Sequence, residues 1–137
     1  MDSRTRAHPD LRAAWAADAQ ALGKQILIEL YGCDAEQLKK VEEVEAAMLA
    51  FARESRATII SSHFHQFNPV GVSGVILIKE SHFTIHTWPE YQYAAVDVFT
   101  CGDEMDLERG LVLFKEILQP STVELKEVAR GKMVFSK

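Results

Sequence analysis

The apolar positions of this chain change period several times, and each change marks an element. Gln25 to Tyr31 is a short apolar run between Gly23 and Gly32, which predicts a buried strand. Asp34, with Gln37 three residues on, has the spacing of a capping box and predicts the start of a helix. In that helix Leu38, Val41, Val44, Met48 and Phe51 recur at three- and four-residue steps, while Lys and Glu fill the opposite face. Four strands are predicted next, over Ala57–His65, Val72–Lys79, His82–Trp88 and Tyr93–Thr100. They are separated by Asn68-Pro69, by Glu80-Ser81 and by Pro89-Glu90. Asp106 to Leu118 carries Leu107, Leu111, Phe114 and Leu118 on one stripe and predicts a second amphipathic helix. Val123 to Ala129 alternates and predicts an edge or half-exposed strand. The Ala-rich stretch from Asp10 to Leu22 predicts an N-terminal helix with little to bury, so residues 1–21 read as an extension and 22–137 as one domain. The fold class is α+β: a two-layer α/β sandwich whose antiparallel sheet is covered on one face by two helices. The bare sheet face then requires a partner, most simply a second copy in a homodimer.

Composition narrows the function. A net charge of −5 argues against nucleic acid as the main partner, because phosphate binding depends on clustered Lys and Arg. No window approaches the run of about 18 apolar residues that spans a bilayer. Residues 1–10 have no signal-peptide core, and the two cysteines, Cys33 and Cys101, are too few for a disulfide scaffold. The expectation is a cytoplasmic protein with reduced thiols and no membrane partner.

The candidate chemistry is concentrated between Val72 and Glu90, with Cys101 following. His63 and His65 share a strand face, as do His82 and His86. With Cys101 they could supply zinc ligands, but no CxxC, HExxH or carboxylate-rich set accompanies them, so hydrogen-bonded or solvated imidazoles are the simpler reading and no metal is assigned. A Cys101–His86 nucleophilic pair is a second generic option, without an oxyanion-hole motif to support it.

A longer set of residues forms one pattern. It comprises Phe64-His65-x-Phe67-x-Pro69, Gly71-Val72-Ser73-Gly74, Glu80-Ser81-His82, Ile85-His86-Thr87-Trp88-Pro89-Glu90-Tyr91 and Ala94 to Gly102, with looser matches at Leu22-Gly23, Leu30 to Asp34 and Arg130-Gly131. Over residues 22–131 the chain resembles the prokaryotic S-adenosylmethionine decarboxylases, small self-cleaving enzymes of polyamine synthesis that use a pyruvoyl cofactor. The resemblance implies cleavage of the Glu80-Ser81 bond into chains 1–80 and 81–137, with Ser81 becoming the pyruvoyl group that forms a Schiff base with substrate. It implies Ser73 as the oxyanion donor in processing, His86 as the processing proton acceptor and Cys101 as the proton donor to product. It also implies Phe67 and Trp88 stacking on adenine and Glu90 binding the ribose hydroxyls. Cys33 matches a common family residue, but its place after a strand reads as packing.

Two positions depart from the family's commonest pattern. Lys24-Gln25 stands where many members have a basic residue and histidine, and Gln66 where many have arginine. Neither alters the processing or proton-donor residues. The family includes relatives that decarboxylate arginine or ornithine, so these amino acids stand as alternative substrates. An unprocessed, non-catalytic regulatory homologue is a further alternative, against which the intact Ser81, His86 and Cys101 argue.

Overall fold

Among the described residues, six strands and two α-helices account for the periods predicted from Gln25 onward. The computed structural model describes residues 21–102 and 104–135; the predicted helix over Asp10–Leu22 lies essentially outside them. In chain order the elements are β1 (Gly23–Tyr31), α1 (Val41–Glu54), β2 (Ile59–Gln66), β3 (Val72–Ile78), β4 (Ser81–Trp88), β5 (Tyr93–Thr100), α2 (Leu107–Leu118) and β6 (Thr122–Arg130). The strands form one sheet in the order β2-β3-β4-β5-β1-β6, and every neighbouring pair is antiparallel. No helix among the described residues is long and apolar enough to cross a membrane.

Both helices pack on one face of the sheet. Alternation in β5 sends Ala94, Val96, Val98 and Thr100 into the core, and β1 adds Ile26, Ile28 and Leu30. The helices meet this layer through Phe51, which stacks on Phe114 at 4.6 Å and meets the Phe83 ring edge-on at 5.0 Å. Their close crossing depends on Gly110, where a Cβ would overlap the Ser55 hydroxyl and come within 2.7 Å of the Phe51 carbonyl. Cys33 is fully buried against Leu30 O, and desolvation, with the Asp34 charge beside it, pushes its thiol up to about 12. Its predicted packing role stands.

One expected boundary moved. Asp34 caps only a short 3₁₀ turn, Ala35–Gln37, by accepting from Glu36 N–H, and α1 begins at Val41. Lys40 precedes it without a side-chain cap, and the Val41 N–H is instead taken by Gln66 Oε1 at 2.7 Å. Leu38 is buried, but outside the helix that it was expected to line.

Among the described residues, no helix lies on the opposite sheet face. Leu27, Tyr31, Val75, Leu77 and Trp88 lie there, between 38% and 48% exposed. His63 and His65 of β2, Ser73 of β3, His82 and His86 of β4 and Asp97 of β5 share that face with them, by the register of the pairs.

Candidate functional site

The turn between β3 and β4 has only two residues, Lys79 and Glu80, since Ile78 pairs directly with Ser81. So short a link forces unusual torsions, and Ser81 has φ of 153°, a value that costs a residue bearing a Cβ. The tip is held from both sides. Lys79 N–H donates to Thr58 O at 2.8 Å, and Thr58 N–H donates to a Glu80 side-chain oxygen at 3.2 Å. On the other side the Glu80 carbonyl accepts from Cys101 N–H at 3.0 Å and from the Cys101 thiol at 3.2 Å. Two donors therefore converge on the carbonyl of the peptide bond whose nitrogen belongs to Ser81. Such an arrangement polarises that carbonyl and stabilises negative charge on its oxygen. A strained serine thus follows a carbonyl that accepts two hydrogen bonds.

A second cluster lies at the other end of β4. Ser73 and His86 are direct partners across β3 and β4, and Ser73 Oγ lies 2.7 Å from His86 Nδ1. Within this chain the Ser73 hydroxyl engages His86, while the Glu80 carbonyl is met by Cys101. His86 is five residues from Ser81 on a continuous strand, a separation of roughly 16 Å at about 3.3 Å per residue. Within one chain the imidazole thus cannot reach residue 81.

Phe67, Trp88 and Glu90 belong to this second cluster. Phe67 follows β2, is 47% exposed and meets the His65 ring edge-on at 4.6 Å. Trp88 ends β4 and packs on Tyr93 at 5.4 Å, which in turn stacks on Tyr31. The Tyr93 hydroxyl donates to Glu29, and burial together with that bond pushes its ionisation well above the ordinary tyrosine range. Glu90 is exposed in the 3₁₀ turn Pro89–Tyr91, immediately after the tryptophan. Thr87 ties this end together: its hydroxyl accepts from Val72 N–H at 2.9 Å and donates to Leu38 O at 2.8 Å.

The two unusual glutamines are committed to structure. Gln25 donates to Asp97 Oδ2 at 2.7 Å and accepts from Arg130 Nη1 at 2.6 Å. Asp97 also accepts from Thr84 and lies 3.4 Å from His82 Nε2. Gln66 binds four backbone groups around the start of α1 and the β2–β3 loop. The four histidines His63, His65, His82 and His86 divide between β2 and β4 with β3 between them, and Cys101 lies beyond β5 at the Glu80 end.

Sequence reasoning missed Thr58 and Asp97. Thr58 acts through its backbone and leaves no compositional trace. Asp97 did leave one, as a lone carboxylate in the apolar alternation Tyr93-Ala94-Ala95-Val96-Asp97-Val98-Phe99 on the bare-face phase.

Comparison with known proteins agrees with the geometry. A family model described as S-adenosylmethionine decarboxylase matches residues 24–131. The S-adenosylmethionine decarboxylase proenzyme of Thermosipho africanus is 51% identical over 113 residues, covering 82% of this chain and 87% of that protein. The proenzyme of Pseudomonas aeruginosa is 48% identical over 110 residues, covering 80% of this chain and 69% of its own length. Among solved structures, the adenosylmethionine decarboxylase of Aquifex aeolicus superposes with a TM-score of 0.74 at 40% identity, covering 81% of this chain and 92% of that one. A Trypanosoma brucei AdoMetDC shares the fold, with a TM-score of 0.53 at 23% identity; the match covers 74% of this chain and 44% of that one.

Proposed function

This chain belongs to the S-adenosylmethionine decarboxylase family, and from that premise we propose that it is a cytoplasmic, self-processing, pyruvoyl-dependent decarboxylase of S-adenosylmethionine. The observation that carries the processing half is the pair of Cys101 donors on the Glu80 carbonyl. Ser81 Oγ attacks the Glu80 carbonyl carbon, and the resulting oxyanion is met by the Cys101 amide and thiol. Collapse breaks the C–N bond, so the amide becomes an ester and residue 81 gains a free amine. A histidine, His86, then removes the Cα proton of residue 81. Glu80 departs as a carboxylate that includes the former Ser81 Oγ, leaving a dehydroalanine whose hydrolysis releases ammonia. The products are chains 1–80 and 81–137.

The pyruvoyl group so formed supplies a carbonyl that acts as an electron sink when carbon dioxide is lost. Cys101 returns a proton to the α-carbon, a role that suits a thiol beside residue 81. Phe67 and Trp88 offer flat faces to adenine, and Glu90 a carboxylate to the ribose hydroxyls. Gln25 and Gln66 are held by hydrogen bonds within the fold, so neither is assigned a direct contact to an amino-acid substrate.

The separation of the two clusters supports a homodimer in which they complete each other. His86 serves Ser81 of the other copy, and the bare sheet faces with their exposed Leu27, Val75 and Leu77 form the contact. Co-expression of Ser81→Ala and His86→Ala chains tests this arrangement. Each alone should stay uncleaved, and in the mixture the His86→Ala chain should split at Glu80-Ser81, as read by denaturing mass spectrometry. Absence of cleavage in a mixture that forms mixed dimers would show that His86 acts only within its own chain. Carbon dioxide release, measured side by side with S-adenosylmethionine, arginine and ornithine, should occur with the first alone.

A further inference from the structure

We propose that Gln66 is a positioning residue for nucleoside binding, its carboxamide setting the place of Phe67. The inference rests on the reading of Phe67 as an adenine platform.

The geometry is specific to a group that both donates and accepts. Gln66 Nε2 lies 2.9 Å from Lys39 O, 3.0 Å from Phe67 O and 3.0 Å from Gly71 O, while Oε1 accepts from Val41 N–H at 2.7 Å. The β2–β3 loop is closed by Phe67 N–H on Gly71 O at 2.8 Å and joined to the segment before α1 by Gly71 N–H on Lys39 O at 3.1 Å. Gly71 has φ of 111°, which only glycine takes readily, so the loop can meet these bonds in one shape. Gln66 therefore spans both ends of a five-residue loop and fixes it to the uncapped start of α1. Phe67 is half exposed on the bare face and, among the described residues, meets the His65 ring edge-on. Thr87 braces the neighbouring Trp88 through Val72 and Leu38. The two aromatic platforms are thus located by separate polar brackets that meet at residues 38 to 41.

The chemistry predicts how replacements divide. Gln66→Glu keeps the acceptor for Val41 but sets a carboxylate against three carbonyl oxygens. Gln66→Arg, the residue common in the family, keeps donors for the loop and loses the acceptor for the helix. The test is calorimetric binding of 5′-methylthioadenosine to the processed protein, a thioether nucleoside with no α-amine to react. Gln66→Glu should bind roughly tenfold more weakly, the loss of about one well-made hydrogen bond's worth of positioning. In turnover the same loss should appear in KM rather than kcat. Gln66→Arg should bind within about threefold of the parent while its melting temperature falls, as an uncapped helix start requires. In a Phe67→Ala background, Gln66→Glu should cost almost nothing further. Should Gln66→Glu not fold, Gln66→Met removes the donors without adding charge and carries the same expectation.

Undiminished binding in Gln66→Glu or Gln66→Met, or a full additive loss when Phe67 is already alanine, overturns the inference while leaving the platform reading in place. Undiminished binding in Phe67→Ala overturns both.

Discussion

Replacing Cys101 should separate the two duties proposed for it. In Cys101→Ala the Glu80 carbonyl keeps the residue 101 amide at 3.0 Å and loses the thiol at 3.2 Å. A strong oxyanion donor is worth about 10²–10³ in rate, and a thiol is a weaker donor than an amide or hydroxyl. Self-cleavage should therefore slow about 10–100-fold, or about 1.4–2.7 kcal/mol of transition-state stabilisation. Cys101→Ser restores a good O–H donor at the same position and should process within a few-fold of the parent. Decarboxylation should divide the other way, because a hydroxyl is a far poorer acid than a thiol; once processed, Cys101→Ser should remain slow to release product. The assay is cell-free synthesis followed by a time course of denaturing mass spectrometry for the 1–80 and 81–137 fragments. Cleavage of Cys101→Ala at the parental rate, with Cys101→Ser no different, would refute the reasoning that the thiol stabilises the oxyanion.

Further expectations concern nucleophile, packing, interface and thiol. Ser81→Ala should persist as one intact chain under conditions that split the parent completely, as mass spectrometry would show. Gly110→Ala should destabilise the fold by about 1–3 kcal/mol through the forced parting of α1 and α2, visible as a lower melting temperature. Leu77→Asp on the bare face should shift sedimentation toward the monomer and slow self-cleavage along with it. Cys33, with its thiol raised from 9.0 to about 12 by burial, stabilises the fold fully below the unfolded value; that contribution is lost as pH rises from about 9 toward 12. A denaturant series across this range, compared with Cys33→Ala, should show the parent losing stability more steeply with rising pH.

The strands were readable because alternation and turn residues agree: Tyr93–Thr100 falls where its period put it, and the others moved by a residue or two. The start of α1 was not readable, because the group that caps Val41 lies 25 residues away at Gln66. The reactive motif was legible as a family pattern, but the distances within it were not. Ser81 and His86 stand five positions apart, and a straight strand makes that a long separation. The same limit hid the Cys101 donors, which reach Glu80 only because β4 and β5 pair Ser81 with Thr100. Gln25 and Gln66 looked like altered pocket residues, since sequence cannot show that an amide's capacity is already filled.

The strand order determines what one broken bond does to the molecule. The first fragment would contain β1, α1, β2 and β3, and the second β4, β5, α2 and β6. In the sheet, however, β1 lies between β5 and β6, so the first fragment is threaded into the second. Parting the pieces means tearing three ladders, β3–β4, β5–β1 and β1–β6, together with the shared core beneath them. Cleavage between Glu80 and Ser81 would leave a two-chain protein that melts as a single body.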